Sequence, residues 1–133
     1  MTKEDKDLLL RDLCARLPYD VKIERALYGA VDLNERHIES FTKGYDDILM
    51  PYLRPLSSMT EEEQKILDDF GITISPISGQ IQVPFNDIQF PFTTMQKIIS
   101  YLYSIHIDIN GLIEKGLAIK TSRDNNPYKE IVL

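Results

Sequence analysis

His106 and Asp108, at the end of an apolar helical stretch, come nearest in this sequence to a chemically useful pair. An imidazole and a carboxylate so spaced could pass a proton, or hold a metal or a phosphate if a third ligand came from elsewhere. They have an equally simple structural use. A helix C-terminus favours histidine through its dipole, and an aspartate just beyond can cap the next helix. His37 is the only other histidine, which excludes an HExxH zinc site, paired HxT phosphoesterase motifs and three-histidine metal centres. Asp108-Ile-Asn-Gly opens like a calcium loop, but the twelfth position, where a bidentate glutamate belongs, is Ile119. There is no glycine-rich phosphate loop and no G-x-S-x-G elbow. Cys14 falls on the apolar stripe expected of the first helix and reads as a core thiol rather than a nucleophile. The acid pairs Asp46-Asp47 and Asp68-Asp69 read as solvated turn and surface residues. The expectation is therefore no catalytic set, no metal and no cofactor; a small hydrolase using His106 and Asp108 is the third-ranked reading.

The residues that could bind are more numerous. Twenty-one acids against 15 bases give a net charge of −6, and no three basic residues run together. Nucleic-acid affinity comes mainly from lysine and arginine at phosphates, so nucleic acid is a disfavoured partner. Basic charge does gather late in the chain, and Lys97, Arg123 and Lys129, with His106 and Asp108, form the candidate set for an anionic small ligand or nucleotide. Tyr28, Tyr45, Tyr101 and Tyr103 are the candidate partner-binding residues, since tyrosine joins a large contact area to a polar tip. The margin of an ordinary core explains the same tyrosines equally simply.

These residues have to be placed by elements that the sequence punctuates clearly. Thr2 caps a helix running to Leu17, with Leu9, Leu10, Leu13, Cys14 and Leu17 at helical spacing, and Pro18 stops it. From Tyr19 to Leu56 short extended pieces follow: Val21 and Ile23, then Leu27 to Leu33, a turn at Asn34-Glu35, a further strand from Arg36 to Phe41, and Ile48 to Met50. Pro51 and Pro55 point to an edge strand or an exit from the sheet. Thr60 and Glu63 make a capping box for a short helix that Gly71 closes. Ile72 to Phe85 reads as a hairpin around Ser78-Gly79. Thr93 and Gln96 open a second long helix to Ser104, buried through Met95, Ile98, Ile99 and Leu102. A short helix capped by Asp108 and ended by Gly116 follows, then a last strand or a packed arm at Leu117 to Ile119.

Three segments, TKEDKDLLLRDLCARLPYDVK, PYLRPLSSMTEEE and NGLIEKGLAI, resemble short uncharacterised proteins encoded in Bacteroides and related gut bacteria, often in their phages and mobile elements. The resemblance covers about half of the chain and names no activity. In that pattern an aromatic residue and an arginine often precede the glycine of the last segment; here those positions are Ile109 and Asn110.

The sequence predicts one α+β domain over residues 1–133, with 121–133 as a mobile tail. A small bent antiparallel sheet, open to a barrel-like arrangement, packs with two longer helices and one or two short ones. No apolar run approaches the roughly 18 residues of a membrane span. With one cysteine and a charged N-terminus, the chain reads as cytoplasmic. The function expected is that of a non-catalytic accessory or regulatory protein of phage or mobile-element origin that binds another protein. A ligand-sequestering oligomer is the alternative, and a homodimer the default assembly.

Overall fold

The structure, a computed structural model, describes residues 1–25, 29–44, 49–75, 81–82 and 92–128. Among them it is an α+β fold: α1 (Lys3–Arg16), β1 (Lys22–Arg25), β2 (Gly29–Asp32), α2 (Glu35–Thr42), β3 (Met50–Leu53), α3 (Glu61–Asp69), β4 (Thr73–Ile74), β5 (Ile81–Gln82), α4 (Phe92–Ser104) and β6 (Ile119–Lys120). The main sheet has the order β2-β1-β3-β6 and stays open rather than closing into a barrel. It is mixed, not purely antiparallel, because β6 returns parallel to β3. β4 and β5 pair as the expected hairpin but form a separate two-stranded sheet.

The helices start and stop where short side chains can satisfy their free ends. Thr2 accepts from Asp5 N at 3.0 Å to open α1. Thr60 and Glu63 form the reciprocal capping box of α3, at 3.2 and 2.9 Å. Residues 36–41, expected as a strand, are helical. Asn34 caps α2 by accepting from His37 N, and its own N–H donates to His37 Nδ1, both at 3.1 Å. Ile38 and Phe41, three apart, then face the core. α4 begins at Phe92, so Thr93 lies inside its first turn rather than capping it. Residues 112–116 form hydrogen-bonded turns rather than the short helix expected.

α1 is rotated from the expected stripe. Its buried side chains are Leu9, Asp12, Leu13 and Arg16, and Cys14 is exposed. Asp12 and Arg16 can share the apolar face because each neutralises the other, and the guanidinium also donates to Ile107 O at 2.7 Å. On α4, Ile98 and Leu102 are buried as expected but Ile99 is not.

Pro51 sits in β3, an interior strand rather than an edge. Leu53 O accepts from Thr121 N on the β6 side at 2.9 Å, so by the pleat Pro51 turns its nitrogen to that same side. The β6 ladder begins only at Tyr52, so the missing N–H forfeits no cross-strand bond.

Two apolar clusters result. One joins α1, α2 and the main sheet; the other joins α3, β4 and α4. Arg54, fully buried at the end of β3, lies at their seam. It donates to both Glu63 oxygens (2.8 and 2.7 Å), to Ser58 O (2.9 Å), to Ser58 Oγ (3.3 Å) and to Ile105 O (3.1 Å). Burial pushes the Glu63 carboxyl up, but the Arg54 guanidinium and the Thr60 N–H and hydroxyl outweigh it and hold it below its ordinary value.

Removing Arg54 leaves Glu63 and two carbonyls without their donor. Arg54→Met is expected to lower stability by about 3 kcal/mol in urea unfolding, and adding Glu63→Met to recover part of that loss. Glu63 stabilises the fold fully above its unfolded pKa near 4.5, and that contribution fades as pH falls through its lower folded value. Glu63→Gln should therefore flatten the acid limb of the stability profile.

Candidate functional site

α4 ends in a reversal that normally calls for glycine. His106 N donates to Tyr103 O and Ile107 N to Leu102 O, both at 3.0 Å, with buried Leu102 and Ile107 packed in one cluster. The same closure ends α3 at Gly71 and recurs at Gly116, both with positive φ. At the end of α4 the left-handed position is filled by His106, at φ 65°. A side chain there costs about 1 kcal/mol, and such strain concentrates at sites where geometry is used. Asp20, at φ 56°, is the other non-glycine residue with positive φ among the described residues. Both line the same cleft.

That cleft holds about 610 Å³. Its walls are Pro18, Tyr19 and Asp20 after α1, Lys22 and Asp32 from the paired strands β1 and β2, Ser104 and His106 at the end of α4, and Pro127 and Tyr128. Lys22 Nζ meets Asp32 at 2.6 Å across the strands. The His106 ring stacks on Tyr128, with centroids 3.9 Å apart and planes 11° from parallel. His106 is 94% buried, and its Nδ1 is sealed from solvent with no hydrogen-bond partner.

Tyr128 is placed by an unusual bond. β1 and β3 pair Glu24 with Met50 and Ile23 with Pro51, so Lys22 and Tyr52 come next in register. There the Tyr128 hydroxyl stands between the strands, accepting from Lys22 N at 2.9 Å and donating to Tyr52 O at 2.6 Å. Burial pushes this phenol well above its ordinary value. It is a structural bridge and stays protonated.

Behind His106 stand the two buried guanidiniums, Arg54 on Ile105 O and Arg16 on Ile107 O. Arg16 also covers the Tyr103 ring, 4.7 Å from its centroid, and Asn110 Nδ2 donates to Asp12 at 2.7 Å. Arg16 Nη1 is buried without an acceptor. Burial first, then the charges of Arg16, Arg54 and Lys22, lower the His106 pKa to about 4. The ring is neutral near pH 7, so the dipole benefit expected of a histidine at a helix end is absent; the arginines supply positive charge there instead.

The sequence-predicted residues are dispersed. Asp108 does not join His106: its two oxygens accept from Leu112 N and Ile113 N, both at 2.9 Å, and close the turn that follows. Lys97 and Tyr101 line a neighbouring groove, while Tyr103 is half-buried in the Arg16 network. Arg123 is exposed on the turn closed by Ser122 and Asn125. Tyr28, Tyr45 and Lys129 lie outside the described residues. The segment expected as a tail contributes Thr121 and Tyr128 to the interior, and 129–133 lie outside the described residues. Sequence reasoning missed Arg16, Arg54, Lys22 and Tyr128. For Arg16 a signal existed, since Asp12 and Arg16 sit at helical spacing with Leu9 and Leu13.

No family model, curated protein or solved structure matches this chain.

Two outcomes test this geometry. Tyr128→Phe keeps the stacked ring but strands Lys22 N and Tyr52 O, and should cost about 1–3 kcal/mol in chemical denaturation. His106 titrates low when folded, so the unfolded chain binds the extra proton. Stability should then fall as pH drops from 6.5 towards about 4, where the ring resonances should show its midpoint.

Proposed function

We propose that the chain is a non-catalytic accessory protein that acts by binding another protein through the groove beside α4. The observation that carries this reading is the aromatic lining of the groove, formed by Tyr19, Phe70 and Tyr101 with Lys97 around about 580 Å³. Aromatic side chains supply contact area at low entropic cost. Beside it Phe92 and Ile99, seven residues apart on one face of α4, are 77% and 40% exposed. Glu61, Glu62, Asp68 and Asp69 on α3 are exposed and acidic, so the complementary partner is a basic protein with an apolar anchor. The engagement of both Asp108 oxygens by backbone N–H groups weighs against the hydrolase reading.

A second reading, small-ligand binding, is favoured by one observation: the cleft of about 610 Å³ lined by His106, whose buried Nδ1 has no partner in the protein. Tyr19 and Ser104 line both cavities.

The test is capture with a matched variant. The immobilised wild-type chain should retain a stoichiometric basic protein from lysate and release it as salt is raised. Phe92→Ser with Ile99→Glu should lose it with an unchanged circular dichroism spectrum, because both positions are exposed. Equal capture by the double variant, or no stoichiometric partner, sinks the reading. Light scattering at twice 15.4 kDa, reverting to monomer in the variant, would assign this face to a homodimer instead.

A further inference from the structure

We propose that the groove beside α4 receives a helix of the partner protein, laid along α4 with apolar side chains in the groove and basic ones towards α3. The inference rests on the protein-binding reading and names the form and charge of what binds. That reading survives if the partner engages the groove in another conformation.

The walls decide the form of the occupant. Every described residue that lines the groove belongs to α4, to the end of α3 at Phe70 or to the turn after α1 at Tyr19. None of them is in a strand. An extended segment brings unpaired backbone N–H and C=O groups and binds by adding to a strand edge, which this groove does not offer. A helix satisfies its own backbone and brings only side chains to the contact. The lining of α4 runs from Thr93 to Ser104, about 16 Å or three turns, so several turns of a partner helix can engage it. Along it Thr93, Ser100 and Ser104 share one face at spacings of seven and four residues. Such short side chains let a second helix come close.

α4 is also uncovered where it would be expected to carry charge. It holds a single charged residue, Lys97, in 13, whereas most residues of α1 and α3 are charged. A solvated helix normally bears polar and charged side chains on its outer face. Apart from Met1, the large apolar side chains exposed among the described residues are Ile66 on α3 and Phe92 and Ile99 on α4. Ile66 precedes Phe70 by four residues, so it stands on the same face of α3, at the rim of the groove. Phe92 and Ile99 form the other shoulder of α4. A partner helix would therefore meet apolar side chains on both flanks of a short polar floor.

Charge sets the outer face of that helix. Glu62 precedes Ile66 by four residues and Asp69 follows it by three, which puts both carboxylates beside the apolar rim. Glu61 and Asp68 are exposed further round α3, and Glu63 is spent on Arg54. Lys65 on α3 and Lys97 in the groove offset two of the four exposed carboxylates, which leaves the edge acidic. Lysines or arginines beside the apolar stripe of the partner helix meet that edge.

The experiment measures fluorescence anisotropy of three labelled peptides with the full-length chain. Each has about 15 residues, enough for four turns. One carries leucine and lysine at helical spacing, one has the same composition in strict alternation, and one has glutamate for every lysine of the first. The first should bind saturably, gain helical circular dichroism on binding, and bind at least tenfold tighter than either of the others. Glu62→Lys with Asp69→Lys should weaken it at least tenfold. Glu35→Lys with Glu39→Lys makes the same change of net charge on α2, in the other apolar cluster, and should leave affinity within twofold. Ser100→Lys, on the floor of the groove, should abolish binding, and Gln96→Lys, at an exposed position of the same lining, should do so if the first variant melts early. An alternating peptide that binds as tightly as the helical one would overturn the helix, and an acidic peptide that does so would overturn its charge. Equal weakening by the α2 control, or affinity untouched by the floor variants, would overturn the site. No binding of any peptide, with capture from lysate still lost in Phe92→Ser with Ile99→Glu, would overturn the helical occupant and leave the protein-binding reading standing.

Discussion

Two guanidinium groups closed to water hold the carbonyls on either side of residue 106, and the rest of the molecule is arranged around that grip. Arg16 reaches Ile107 O from α1, and Arg54 reaches Ile105 O from the end of β3. Both arginines belong to elements of the sheet-side core, while the carbonyls close α4 in the other core. Carbonyls at a helix C-terminus lack partners of their own and carry partial negative charge, so cationic donors suit them twice over. A buried guanidinium is tolerable only with a carboxylate of its own, and each has one: Asp12 for Arg16, Glu63 for Arg54. The seam between the cores is thus ionic where most seams are apolar. Its strength lies in geometry, because a slip of either helix would leave a charge unpaired.

The cleft is a consequence of this grip. With residues 105 and 107 fixed, Arg54 N donates to His106 O and Asp108 N to Arg54 O, at 2.8 and 2.9 Å, which extends the line of β3 past the reversal. The His106 ring is then held over Tyr128, and the Tyr128 hydroxyl occupies the next rung between β1 and β3. The β1–β3 pairing through Ile23 and Glu24 is thus continued at Lys22 and Tyr52 by a side chain rather than by a direct backbone bond. One bond network therefore sets the helix end, the cleft wall and the edge of the ladder together.

What the sequence made legible was local. Thr2, Thr60 with Glu63, Gly71 and Gly116 all act within five residues of themselves, and each does in the structure what its type implies. The strand expected at 36–41 shows the limit: Asn34 reads as a turn residue, yet the same short side chain caps a helix when its neighbours reach the core. Hydropathy places Cys14 on the buried stripe and gives no reason to place Asp12 and Arg16 there, because it scores charges singly and cannot credit a pair that cancels. The site was half legible. His106 could be placed at a helix end from its surroundings. Tyr128 bonds Lys22 N across 106 positions of chain, and no local pattern announces such a contact.

The choice of histidine at the α4 reversal can be weighed against the glycines that make the same turn at 71 and 116. The left-handed backbone costs a side chain about 1 kcal/mol. A sealed nitrogen without a partner adds about 1–3 kcal/mol, and stacking on Tyr128 returns only about 0.5–1.5. Burial of the ring can close that gap, but an apolar aromatic would gain the same burial without the orphan nitrogen. Packing alone therefore favours phenylalanine over histidine on the Tyr128 ring, and glycine over both for the backbone. What histidine brings that neither alternative can is a pair of ring nitrogens, and the fold leaves Nδ1 buried without a partner.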